Sequence, residues 1–259
     1  MTNKPIEMVK KMLKNTLVSL TVIAAMSAPA FAAEQVKQTE NDPLVSLDYK
    51  IWFQDHETVG KRYVSAQNNL LKATLHTQNG YIPNVFVQVG KAESNLFAYT
   101  NTDIRAFYVY DYNEDLSFDY GAGVSMRYDA RHGKQDDEAT LDWNAYDPHV
   151  SVGVAYKVPQ FDGLTLFSGF EKRFNEDNES FSGGTTTELG ARYTFVDKGS
   201  RSISAEIGYR RDIQDQEFTV HKVTEPSEDG SDAGGVPYTE KEDRRMISDG
   251  FYLGVSMSF

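Results

Sequence analysis

The last nine residues, Phe251-Tyr252-Leu253-Gly254-Val255-Ser256-Met257-Ser258-Phe259, place bulky apolar side chains at every second position and stop on an aromatic carboxyl terminus. A period of two is the period of a β-strand, so five apolar side chains fall on one face and mainly small or polar ones on the other. In water such a face needs a second layer of protein over it. In a membrane barrel, lipid supplies the cover.

The same alternation recurs along the chain. Val45, Leu47, Tyr49, Ile51 and Phe53 oppose Ser46, Asp48 and Lys50. Leu71, Ala73 and Leu75 mark a second segment and Val85, Val87 and Val89 a third; Ile104, Ala106, Tyr108 and Tyr110 mark a fourth. The fifth is the longest: Leu116, Phe118, Tyr120, Ala122, Val124, Met126 and Tyr128 against Ser117, Asp119, Gly121, Gly123, Ser125, Arg127 and Asp129. Val150 to Tyr156, Leu164 to Phe170, Leu189 to Phe195 and Ile203 to Tyr209 follow, and the C-terminal run is the tenth. Each is expected to span about the 9–11 residues a tilted strand needs to cross hydrocarbon.

The connections are expected to alternate as well. Gln78-Asn79-Gly80-Tyr81-Ile82-Pro83, Asp111-Tyr112-Asn113-Glu114, Pro159-Gln160-Phe161-Asp162-Gly163 and Asp197-Lys198-Gly199-Ser200 read as short turns. The joins after strands one, three, five, seven and nine read as longer polar loops, the last from about Asp212 to Asp249. Short turns on one side, long loops on the other and both termini on the short side describe an outer-membrane barrel with an even strand number. The expected fold is all-β: a transmembrane antiparallel up-and-down barrel over residues 44–259 with ten strands, or eight if the second and third segments are divided wrongly.

The N-terminus agrees with export. Lys4, Lys10, Lys11 and Lys14 precede an apolar run from Leu17 to Ala28, and Ala30-Phe31-Ala32 offers a small-x-small cleavage site, so residues 1–32 read as a secretory signal peptide and 33–43 as a polar periplasmic leader. The run is shorter than the ~20 residues a spanning helix takes. Beyond residue 32 remain 22 basic and 37 acidic side chains, a net charge of −15, which argues against nucleic acid as a partner. There is no cysteine, which removes disulfides, thiolate metal sites and thiol nucleophiles. Fifteen Tyr and fifteen Phe suit strands and interfacial girdles.

Ile82-Pro83-Asn84, Tyr99 to Ala130, Val158-Pro159 with Gly163-Leu164-Thr165, Glu206-Ile207-Gly208-Tyr209-Arg210, and Asp249-Gly250-Phe251 to the end together resemble an uncharacterised family of small gammaproteobacterial outer-membrane β-barrel proteins. The likeness covers most of the chain after about residue 80 and implies fold and location, with no activity. Phe251, Leu253, Val255, Met257 and Phe259 also resemble the C-terminal signal by which Gram-negative barrels are recognised for insertion. The partners this implies are outer-membrane lipid and lipopolysaccharide and the barrel-assembly machinery, with the protein a monomer.

On the face opposite lipid, the alternation puts Arg105, Asp119, Arg127, Lys157, Glu171, Arg173, Glu188, Arg192, Glu206 and Arg210, a mixture of signs that must be paired or hydrated in a narrow interior. Interlocking of these residues would fill the lumen and make the protein a structural or surface-interaction barrel; the alternative is a narrow passive pore for ions or small solutes, wide channels needing 16–18 strands. A remoter alternative is lipid A deacylation by a His-x-Ser pair, His149 and Ser151, with Glu171 on the next strand. Val150 and Val152, not the pair, face the acyl chains, so no catalytic residue and no enzyme is expected. Omptin-type proteolysis needs Asp-Asp and Asp-His pairs at the rim, and His221 has no adjacent Asp. The acidic stretches Asp136-Asp137-Glu138, Glu176-Asp177-Asn178-Glu179 and Glu228-Asp229-Gly230-Ser231-Asp232 offer at most weak divalent-cation binding, without the spacing of a dedicated loop, so no metal site and no cofactor is expected.

Overall fold

In the computed structural model the described residues are 44–58, 62–77, 80–94, 97–132, 139–140, 143–174, 183–198, 201–223 and 237–259. The signal-peptide and leader readings, residues 1–43, and all three acidic stretches lie outside them. Ten long strands form one antiparallel sheet: β1 Val45–Thr58, β2 Arg62–Leu75, β3 Asn84–Glu93, β4 Phe97–Asp111, β5 Leu116–His132, β6 Trp143–Lys157, β7 Leu164–Arg173, β8 Gly184–Lys198, β9 Arg201–Val223 and β10 Pro237–Ser258. Neighbours in sequence are neighbours in the sheet, and β10 pairs with β1 from Ser258 opposite Ser46 to Met246 opposite Thr58. The sheet is therefore a closed ten-stranded barrel, not an eight-stranded one, and closure leaves no edge along the part that faces lipid. Among the described residues there is no helix.

The two faces carry the chemistry the alternation requires. Leu71, Leu189, Ile207 and Phe251 point outward and are each more than half exposed. So continuous an apolar belt is stable only against lipid. Outward aromatic residues gather near both ends of it, Tyr110, Phe118, Tyr156 and Phe195 toward the rim that carries the termini and Phe53, Tyr128, Phe170, Tyr209 and Phe251 toward the loop rim. Rings at those two depths match the interfacial girdles of membrane barrels. The interior holds polar residues around a small apolar cluster of Trp52, Leu70 and Tyr252, with Phe167 packed against it.

Three expectations are corrected. Most strands exceed the length needed to cross hydrocarbon: β5 has 17 residues, β9 has 23 and β10 has 22. The stretch read as a loop from Asp212 to Asp249 is largely a β-hairpin, paired from Arg211 opposite Asp249 up to Val223 opposite Pro237, with residues 139–140 pairing against Val220 and Thr219. Above the membrane the backbone still gains by pairing, and polar side chains are tolerated on both faces, so the alternation that reveals a strand in lipid is no longer enforced there. The division into short and long connections fails at two places for the same reason. β1 and β2 approach to within residues 59–61 and β3 and β4 to within 94–96, whereas the join between β2 and β3 on the terminal rim runs over 76–83.

Candidate functional site

Inward side chains meet in rows that run across the strands, and glycines decide which of them touch. Lys50 stands opposite Gly254, Gly254 opposite Glu206, and Glu206 opposite Arg192. With no side chain at 254, Lys50 Nζ reaches Glu206 Oε1 at 2.6 Å, while Arg192 Nη2 lies 2.9 Å from Glu206 Oε2. The row above reads Trp52, Tyr252, Gly208, Gly190 and Phe167. A Cβ at Gly208 would collide with the Tyr252 hydroxyl, so this glycine lets Tyr252 lie across the wall and donate to Glu188 Oε1 at 2.7 Å. Lys50 Nζ binds the same oxygen at 2.8 Å and stands 4.5 Å over the Tyr252 ring. At Gly250, φ is +154° and a Cβ would meet the Phe53 carbonyl; the Gly250 carbonyl accepts the Trp52 indole N–H at 3.2 Å.

Nearer the loop rim a second network centres on Asp212. Arg173 pairs with Asp212 Oδ1, Arg127 Nη2 donates to Oδ2 at 3.1 Å, and Thr186 Oγ1 donates to Oδ1 at 3.1 Å. Arg127 also donates to Gln214 and lies 4.3 Å over the Tyr99 ring, whose hydroxyl donates to Gln54 and accepts from Asn68. The Asp212 and Arg173 side chains retain only 6% and 3% of their exposure. Removing two or more charges so completely from water is tolerable only because each oxygen has a matched donor.

Water-sized space is distributed unevenly. A cavity of about 440 Å³ runs inward from the terminal rim, bordered by Ser46, Ser258 and Thr74 near its mouth and by Arg105, Glu188 and Arg210 at depth. Beyond it, a separate space of about 10 Å³ lies among Trp52, Tyr99, Arg127, Arg173 and Asp212. Still nearer the loop rim, Gln54, His56, Asp147, Gln214, Met246 and Ser248 are all buried.

Of the residues expected inward, Arg127, Arg173 and Glu206 are buried. Arg105 pairs with Asp119, Arg173 Nε stands 3.4 Å from Glu171 Oε1, Arg192 pairs with Glu206, and Arg210 Nη1 stands 3.7 Å from Glu188 Oε2. Lys157 lies at the exposed end of its strand. Missed were Asp212, which the period-two series Glu206, Gly208, Arg210 would have extended to, the joining of Lys50, Asp103 and Gln214 to the inward polar contacts, and the separate pair of Asp48 with Lys72. The deacylase set is not assembled. Ser151 Oγ donates to the Gly121 carbonyl at 3.4 Å, and both nitrogens of His149 face carboxylates, Asp103 at 3.0 Å and Glu171 at 3.6 Å. No base is turned toward the hydroxyl. Of the omptin candidate His221, only the backbone, in β9, is described. Phe251, Leu253, Val255, Met257 and Phe259 all face outward.

No protein-family model and no curated protein matches this chain. Among solved structures it is similar to Neisserial surface protein A (12% identity, 83% of this chain and 97% of that one, TM-score 0.37) and to KdgM porin (18% identity, 83% and 99%, TM-score 0.36). The outer membrane protease OmpT from Escherichia coli aligns at 7% identity over 87% of this chain and 99% of its own, with a TM-score of 0.42.

Proposed function

We propose that this protein is a monomeric barrel of the Gram-negative outer membrane whose lumen is closed by its own side chains and whose work is structural or interactive at the cell surface. The observation that carries this reading is the plug of Trp52, Tyr99, Arg127, Arg173 and Asp212, all buried around a space of about 10 Å³. Outer-membrane location rests on the outward apolar belt, its two aromatic girdles and the C-terminal strand; the partners on this reading are lipid, lipopolysaccharide and the assembly machinery. Deleting Phe259 is expected to leave export intact and prevent insertion, read as loss of heat-modifiable mobility. Enzyme chemistry is disfavoured by the Ser151 hydroxyl donating to a backbone carbonyl.

The competing reading is a narrow pore, and the cavity at the terminal rim speaks for it, since it is half of a passage. Single-channel recording of the full chain in planar bilayers decides between them. A silent bilayer is expected. Steady steps whose size or selectivity changes with Arg127→Ala would make the protein a pore.

A further inference from the structure

Asp103 on β4, His149 on β6 and Glu171 on β7 converge inside the barrel, with one potential ligand atom of each within 4.8 Å of the others. The His149 side chain is fully enclosed. A Cβ at Gly123, the residue opposite it, would meet His149 Nε2 at 2.8 Å, so this glycine gives the ring access to Asp103. Nε2 lies 3.0 Å from Asp103 Oδ1, a hydrogen bond. Nδ1 lies 3.6 Å from Glu171 Oε2 and makes no hydrogen bond. With the Nε2 proton given to Asp103, the neutral imidazole presents its Nδ1 lone pair toward a carboxylate oxygen, and two electron-rich atoms face each other.

A cation relieves that opposition. Two ligands held at about 2.0–2.2 Å from a tetrahedral ion stand roughly 3.3–3.6 Å apart, the separation found here. A carboxylate on the far nitrogen is also the usual device for fixing the tautomer of a metal-binding imidazole. Glu171 divides its oxygens, Oε1 toward Arg173 and Oε2 toward His149. Both carboxylates border the cavity that opens at the terminal rim, which supplies a route for the ion and water for its remaining positions. One imidazole nitrogen and one carboxylate oxygen suit a late first-row divalent ion better than Mg²⁺ or Ca²⁺.

We propose that His149 Nδ1 and Glu171 bind a zinc-type divalent cation within the lumen, with Asp103 as the positioning residue. Such an ion ties β6 to β7, with β4 joined through the Asp103 hydrogen bond to His149. The test is calorimetric titration of the full-length, detergent-folded, chelator-treated protein with Zn²⁺, with bound zinc counted after gel filtration. About one zinc per chain is expected, as a single tetrahedral site requires. His149→Ala and Glu171→Gln should each weaken binding by about 100-fold or more, and Asp103→Asn by about 10–100-fold, the range for an outer-shell partner. His76→Gln, altering a second imidazole bordering the same cavity, should change nothing. Heat-modifiable mobility reports whether each variant has folded.

Folded wild type that takes up no zinc, binding that survives His149→Ala, or an equal loss in His76→Gln overturns the proposal. Should His149→Ala not fold, ¹⁵N spectra of the wild type serve: zinc must move the His149 Nδ1 resonance, and an unmoved resonance overturns the site. Zinc binding and conductance are independent readouts, so this site and the closed lumen stand or fall separately.

Discussion

The two halves of the lumen use the same side chains for different ends. Toward the terminal rim, Arg105 and Asp119 form a pair that keeps 15% and 31% of its side-chain exposure beside a cavity of about 440 Å³. Toward the loop rim, Arg173 and Asp212 form the same kind of pair at 3% and 6% exposure, beside a space of about 10 Å³. An ion pair that water can reach is worth little, because either partner can be hydrated when the other is lost. A pair sealed from water is costly to break, since the survivor keeps its charge and loses its solvent. The contrast teaches that burial, more than pairing, marks the plug.

Breaking the hub should have the largest effect. Asp212→Ala leaves Arg127 and Arg173 facing each other without their shared carboxylate. Loss of about 3–5 kcal/mol is expected in denaturant unfolding from micelles. A loss near zero would mean that water already enters the plug.

Trp52→Ala attacks the same region from its apolar side. Trp52 is 2% exposed and packs with Leu70 and Tyr252, so truncation should cost about 3 kcal/mol and leave a void at the inner end of the cavity. A wild type expected to be silent should give way to conductance in this variant in planar bilayers; a variant that also stays silent would place the seal elsewhere along the lumen.

Lys50→Met probes the border between the halves. Lys50 bridges Glu188 and Glu206 with 12% of its side chain exposed, and each carboxylate keeps an arginine partner. About 1–2 kcal/mol is expected, between the exposed and sealed limits. The check is the unfolding midpoint at neutral pH. A cost equal to that of Asp212→Ala would extend the dry region down to this level.

Arg105→Gln completes the series with the smallest effect, under about 1 kcal/mol, because Asp119 can turn to water in the cavity. Unfolding of the variant at low and high salt measures it. A loss as large as that at Asp212 would erase the distinction between the two halves.

What the sequence determined by itself was the barrel and its two faces. Alternation is a local property, imposed residue by residue wherever lipid covers one side of a strand, so Leu116 to Tyr128 or Phe251 to Phe259 declares both strand and face without reference to any partner. That rule lapses above the membrane, which is why the paired segments from Asp212 to Val223 and from Pro237 to Asp249 read as a loop. Which inward charges meet was left to the tertiary structure. Lys50 and Glu206 lie on β1 and β9 and touch only because β10 sets Gly254 between them, and Asp212 gathers arginines from β5 and β7 that no spacing in the chain connects. Contact across a closed sheet depends on register and on the curvature that brings distant strands face to face. Neither is written in the period of any one strand.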